Sequence, residues 1–205
     1  MTQRTGGPEF LDRLRRSRPI DPAVQAELSA IVDRRSPLGV DAPLRQHRPS
    51  TRAMTHADRA AVQDLAMRCS AETLRRRFHA PVSHLRAERV AELLLGEGPA
   101  ARPALSSVVA EVDGVVIGVG TLHRNVVGDG EMAVLVEDAW HGTGVGSRLT
   151  AALFHQAAER GLHHIVADVL AEPRYLVESL QRHNRSAAVA FDGPVATIRM
   201  PVAAA

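Results

Sequence analysis

Residues 131–161, "EMAVLVEDAWHGTGVGSRLTAALFHQAAERG", change character twice. They open on a β-rich run, "EMAVLVED". A turn with glycines at 142, 144 and 146 follows. The chain then carries Leu149, Ala152, Leu153 and Ala157 at helical spacing, and Gly161 supplies the stop. Strand, glycine turn and helix together make an anion site. A helix N-terminus exposes free N–H groups and carries partial positive charge, and glycine lets a phosphate approach the backbone closely. The turn therefore reads as a phosphate or pyrophosphate cradle, and the plainer alternative is a turn made only for tight packing.

Two familiar phosphate loops can be tested against it. The dinucleotide fingerprint, counted from Gly142 and Gly144, needs a glycine at 147, where this chain has Ser147. Asp168, at the end of the next strand, is all that speaks for that reading. The Walker loop needs a lysine after Gly146, and the chain has none: all 25 residues in its Lys-plus-Arg count are arginine. The same absence removes any chemistry that needs a Schiff-base lysine.

Working outward, "SSVVAEVDGVVIGVGTLHR" reads as a hairpin around Asp113–Gly114. "HHIVADVL" is a strand, "RYLVESLQRH" a helix and "AAVAFDGPVATIRMPV" a last hairpin. Upstream lie three helices. "MTHADRAAVQDLAMRCS" starts with a capping-box pair, Thr55 and Asp58, and buries Val62, Leu65, Ala66 and Cys69. "SAETLRRRF" is capped by Ser70, and "SHLRAERVAELLL" ends at Gly96. This order predicts an α/β (α+β) domain over 47–205, with a mixed sheet and helices on its faces. Residues 1–46 read as a separate arm. Its one amphipathic helix lies in "DPAVQAELSAIVDRR", with Asp21 as cap and Pro22 in the first helical position. That helix is expected to dock on the main domain or on a second subunit, which leaves room for a homodimer.

Composition excludes several functions. Aromatics are only 3%, too few for a base-stacking surface, so no nucleic-acid partner is expected. The formal net charge is +2, close to balance. Cys69 stands alone, so neither an internal disulfide nor a thiolate zinc site is expected, which suits a reducing cytoplasm. No long apolar run suggests a signal peptide or membrane span. His163 and His164 are adjacent in a strand and point to opposite faces, so they do not form one metal site.

The residues 141–146, "HGTGVG", resemble motif A of the GNAT superfamily of acetyl-CoA-dependent N-acetyltransferases, with His141 where Arg or Gln is usual. The segment "RAMTHADRAAVQDLAMRCSAETLRRRFHAPVSHL" is similar to the amino-terminal part of the Pat-type bacterial protein lysine acetyltransferases. The resemblance spans about residues 50–203. It implies a GNAT fold, a mostly antiparallel sheet splayed at the motif-A strand. It implies acetyl-CoA as cosubstrate and no metal. The coenzyme's pyrophosphate would rest on Gly142, Thr143, Gly144, Val145, Gly146 and Ser147, with His141 and Arg148 able to assist. Its pantetheine arm would pair with Val134, Leu135 and Val136, and an N–H near Val136 would serve the oxyanion.

Glu131 stands where the Pat-type pattern "E-x-A-V-x-V" has its general base. The acceptor implied is a protein lysine. The alternatives are a small amine such as a polyamine or aminoglycoside, or a CoA-binding regulatory module without catalysis. Two departures count for that last alternative: Pro173 replaces the usual Asn after the fourth strand of the motif region, and Leu180 the usual Tyr. Tyr175, the single tyrosine, is out of register.

Overall fold

The computed structural model describes residues 48–79, 86–97, 102–172 and 174–203. The expected arm helix and Pro173 lie outside these residues. Strand β1 (Ser50–Ala53) leads into α1 (Arg59–Arg68), α2 (Ala71–Phe78) and α3 (Ala87–Leu95). Then come β2 (Ser106–Val112), β3 (Val115–Arg124), β4 (Gly130–Val136), α4 (Val145–Glu159), β5 (His164–Leu170), α5 (Tyr175–His183), β6 (Ala188–Asp192) and β7 (Val195–Pro201). The seven strands form one sheet in the order β1-β2-β3-β4-β5-β7-β6. Every neighbouring pair is antiparallel except β4 and β5.

The local signals act where expected. Thr55 and Asp58 form a reciprocal capping box ahead of α1. The Ser70 hydroxyl accepts from the Thr73 N–H and starts α2. Gly96 ends α3 in the left-handed conformation. Asp113 and Gly114 both have positive φ, the signature of the tight turn that matches strand twist, and β2 and β3 pair across them.

Strand alternation divides the core in two. On one face, Val108, Ala110, Ile117, Leu122, Met132, Ile165 and Ile198 pack with Leu149, Leu153 and Ala157 of α4. On the other, Val109, Val116, Val119 and Leu135 meet Val62, Leu65, Leu74, Val90 and Leu94 from α1–α3. Leu149 and Leu153 are fully buried, each contributing roughly 1.5–3 kcal/mol. Helix α4 sits so close to β3 that a Cβ on Gly118 would lie 3.0 Å from a Leu149 methyl and 3.1 Å from the Leu135 carbonyl oxygen. The glycines of "VVIGVGTL" thus set the distance between sheet and helix. Cys69 is part of the second core, and burial pushes its thiol up to about 12, away from reactivity.

Candidate active site

The two parallel strands at the centre separate almost as soon as they meet. β4 and β5 pair only at Gly130 with Ile165 and Glu131 with Val166. From Met132 onward, β4 keeps its full register with β3 and has no β5 partner among the described residues. The Glu137 N–H donates to the Ile117 carbonyl on the β3 side. Successive residues of a strand turn their backbone groups to opposite edges, so Val134 and Val136 present theirs to the opening and Leu135 turns to β3. Of the three residues expected to meet the pantetheine arm, the open edge therefore offers two.

The glycine turn closes the far end of this cleft. Gly142 and Gly144 have φ of +75° and +88°, and a Cβ added at either would meet nothing within 4 Å. The first helical bond of α4 runs from the Arg148 N–H to the Gly144 carbonyl. The N–H groups of Val145, Gly146 and Ser147 precede it and have no helical acceptor. Val145 is fully buried and anchors the turn to the core, so only its backbone is presented. Open space, free N–H groups and a helix N-terminus are what a pyrophosphate needs, and the turn fits coenzyme A. His141 reaches back to the strand. Its Nε2 lies 2.9 Å from the Val136 carbonyl oxygen, tying the turn back to the strand's open edge. Arg148 is exposed on the first turn of α4.

One set of contacts had no sequence signal. Asp138, just after β4, accepts from the Ser70 N–H (2.7 Å), the Ser70 hydroxyl (2.7 Å) and the Thr73 hydroxyl (2.9 Å). Beside it, Arg68 donates to Glu137 and to the Val116 carbonyl. The α1–α2 elbow is thus clamped to the segment leading into the glycine turn. Burial pushes the Asp138 carboxyl up, but the Ser70 and Thr73 bonds and nearby His141 more than offset this and hold it below the ordinary carboxylate range.

At the opposite end, Glu131 marks the base of the opening. It lies on the sheet face covered by α1–α3, directly across from His123 on β3. Its carboxylate takes a 3.0 Å ion pair from Arg102, with Glu131 still about 45% exposed. The same face carries Thr121, fully buried, to which the Arg77 guanidinium of α2 donates at 3.1 Å. Burial holds the His123 imidazole below its ordinary value. Its Pro103 carbonyl contact opposes this, and the Arg77 and Arg102 charges add to it. Farther along, Asp129 is paired with Arg199 (2.9 Å) and lies 3.7 Å from His164, while Asp168 accepts from the Thr197 hydroxyl at 2.6 Å. Leu180, where the family's Tyr is usual, packs against the core on the α4 side. The Tyr175 hydroxyl accepts from Arg76 at 3.1 Å.

The splayed central strand runs from the Glu131 carboxylate to a glycine-rich helix N-terminus, an arrangement that would suit an extended ligand ending in phosphates. The profile of the acetyltransferase (GNAT) family matches residues 60–175, more than half of the chain, and the chain belongs to that family of acetyl-CoA-dependent N-acetyltransferases. Solved structures share the fold. The GNAT domain of S. lividans PAT is 21% identical, with a TM-score of 0.62 over 78% of this chain and 99% of its own. A GCN5-related N-acetyltransferase from Kribbella flavida is 20% identical, with a TM-score of 0.59 over 75% and 97%. The acetyltransferase yncA from Salmonella typhimurium, solved with its cofactor acetyl-CoA, is 17% identical, with a TM-score of 0.53 over 76% and 94%. No curated protein sequence matches the chain. Among the described residues, no helix is long and apolar enough to cross a membrane.

Proposed function

We propose that this chain acetylates the side-chain amine of a protein lysine, with Glu131 as general base. One observation carries the reading. Glu131 is the last β4 residue paired with β5, and the glycine turn begins beyond the other end of the same strand. An extended coenzyme arm lying on Val134 and Val136 has its phosphates at the turn and its thioester toward Glu131. From residue 131 to 136 a strand spans roughly 17 Å.

The chemistry follows from that placement. A lysine amine, with an ordinary pKa of about 10.4, arrives protonated and must lose a proton before it attacks. The Glu131 carboxylate, directly or through water, accepts it. The neutral nitrogen attacks the thioester carbonyl, and the negative oxygen is met by a free backbone N–H of the open edge on the Glu131 side of Val136. Collapse breaks the C–S bond, and the nitrogen gives its second proton to water as the neutral amide forms. The departing thiolate takes its proton from solvent, since the Tyr175 hydroxyl is engaged by Arg76 and Leu180 has no proton to give.

The carboxylates of the open face support a single-amine acceptor. Glu131 is paired with Arg102, Asp129 with Arg199, and Asp168 is bonded to Thr197. A polyamine or aminoglycoside site needs several uncommitted negative charges, and two of these three are already neutralised by arginines. The test is thiol release from acetyl-CoA against an amine panel and a lysine-containing protein lysate, with wild type and Glu131→Gln in parallel. We expect turnover on protein that falls about a hundredfold or more in the variant while acetyl-CoA affinity holds. Equal losses in both would reject the base, and coenzyme binding without transfer to any amine would favour the regulatory module.

A further inference from the structure

Among the described residues, Arg77 is a cation without an ion-pair partner. Its Nη2 donates to the neutral hydroxyl of Thr121, its Nε is buried with no hydrogen-bond acceptor, and its guanidinium carbon lies 4.8 Å from the centroid of the Phe78 ring. Burying a guanidinium in this way is costly, and burial pulls its pKa down to about 10 against the opposing attraction of Glu131. The position is specific. Thr121 pairs with Ala133, so Glu131, two residues back on β4, is its diagonal neighbour on the same face. Such neighbours lie about 7–8 Å apart. The anion within reach is already committed, because Glu131 forms its ion pair with Arg102. Arg77 is thus the uncompensated charge beside the carboxylate.

We propose that Arg77 drives the acceptor's ammonium to give up its proton: its unpaired positive charge, one strand step from Glu131, destabilises the protonated amine and leaves the neutral one. This rests on the reading of Glu131 as the acceptor's docking point. Like charges disfavour each other's ionised forms, and even roughly 10 Å apart in a partly desolvated site the effect is about one pH unit. Each unit gives about ten times more neutral nucleophile below the amine's own pKa. The other charged groups on this face are Arg102 before β2, His123 on β3, Glu131 on β4, Asp129 with His164 and Asp168 at β5, and Arg199 on β7. Arg102 pairs with Glu131 and Arg199 with Asp129. Glu72, Arg75 and Arg76 of α2 pair among themselves. Arg77 acts through its field on the substrate, so it is an electrostatic positioning residue rather than a proton carrier.

The experiment compares wild type, Arg77→Met and Arg77→Lys, with melting curves confirming that each folds. kcat for a lysine peptide, at saturating peptide and acetyl-CoA, is measured from about pH 6.5 to 9.5. We expect the rising limb of the Arg77→Met profile to move up by about one unit, with a roughly tenfold loss at neutral pH that disappears at high pH. Arg77→Lys keeps a positive charge at neutral pH and should hold the wild-type rate there. An amine that is already neutral at pH 7 should feel the Met substitution little. Loss by the same factor at every pH would mean that Arg77 is only structural and would overturn the proposal. A second readout needs no turnover: NMR titration of His123, whose imidazole feels the same charge. Its pKa should rise in Arg77→Met and stay in Arg77→Lys; no change would also overturn the proposal. If wild type transfers acetyl to no amine, the acetyl-transfer reading fails, and the His123 titration still decides whether Arg77 imposes this field.

Discussion

Gly144→Ala separates a turn that packs from a turn that holds a phosphate. Gly144 has a φ of +88°, where an L-residue is strained, and a Cβ there meets no atom within 4 Å. The free protein therefore suffers backbone strain and no clash. That strain costs about 1–2 kcal/mol. For a domain of this size, each kcal/mol lowers Tm by roughly 2–4 °C, so the variant should melt roughly 2–8 °C lower and remain folded. Its effect on the coenzyme should be larger in kind. The added methyl stands in the open space that the pyrophosphate needs, and a loss of about 1.4 kcal/mol of binding is already tenfold. The assay is the acetyl-CoA KM from initial rates, with calorimetric CoA affinity beside it, both at a temperature well below the lower Tm. Gly146→Ala is the control for strain. Gly146 lies on the first turn of α4 without positive φ, and its Cβ would sit 4.0 Å from a Val136 methyl. Alanine there gains about 0.5–1 kcal/mol of helix propensity, so stability should hold or rise while coenzyme affinity falls. If both variants bound CoA like wild type, and Gly144→Ala only lost stability, the cradle would be refuted and the glycines would be a packing device.

Two further outcomes follow from the clamps around the site. The Arg52 guanidinium beside Asp58 holds its carboxyl down to about 2, from an ordinary value of 3.8, with burial opposing and the Thr55 bonds assisting. A depressed folded pKa contributes stability that is present above the unfolded value and is lost as pH falls through the folded one. Wild type should thus lose on the order of 2 kcal/mol between about pH 4 and 2 that Asp58→Asn lacks already at neutral pH, measured by urea melts across that range. Ser70→Ala removes the cap of α2 and one link to Asp138, and should cost about 1 kcal/mol in denaturant melts. It should also raise the acetyl-CoA KM, because Asp138 sits in the segment that feeds the glycine turn; an unchanged KM would mean that the elbow and the turn are mechanically independent.

Why so much of this molecule can be read from its chain, and some of it not, is visible in particular residues. Helices and hairpins are announced locally. Asp113–Gly114 needs positive φ at two successive positions, Thr55 with Asp58 and Ser70 with Thr73 satisfy helix N–H groups a few residues away, and Val62, Leu65, Ala66 and Cys69 recur at the helical period. The glycine turn is equally local, because a helix N-terminus makes its own anion site. His141 shows where such reading stops: nothing within the turn says that its side chain folds back to lie beside the Val136 carbonyl at the end of its own strand. The charged face is harder still. Arg77, Thr121, His123, Glu131 and Arg102 come from α2, two strands and a connecting segment, and they meet because Thr121 faces Ala133 and His123 faces Glu131. A shift of one residue in that register would turn His123 and Thr121 away from Glu131. Nothing within a few residues of "RRRF" says which of three arginines is buried without a carboxylate. Arg75 and Arg76 are claimed by Glu72 on the exposed side of α2, at three and four residues' spacing. Arg77 points inward by the same helical geometry. The helix thus sorts three identical side chains into two that are neutralised and one that is not, and the Glu131 end of β4 receives the last.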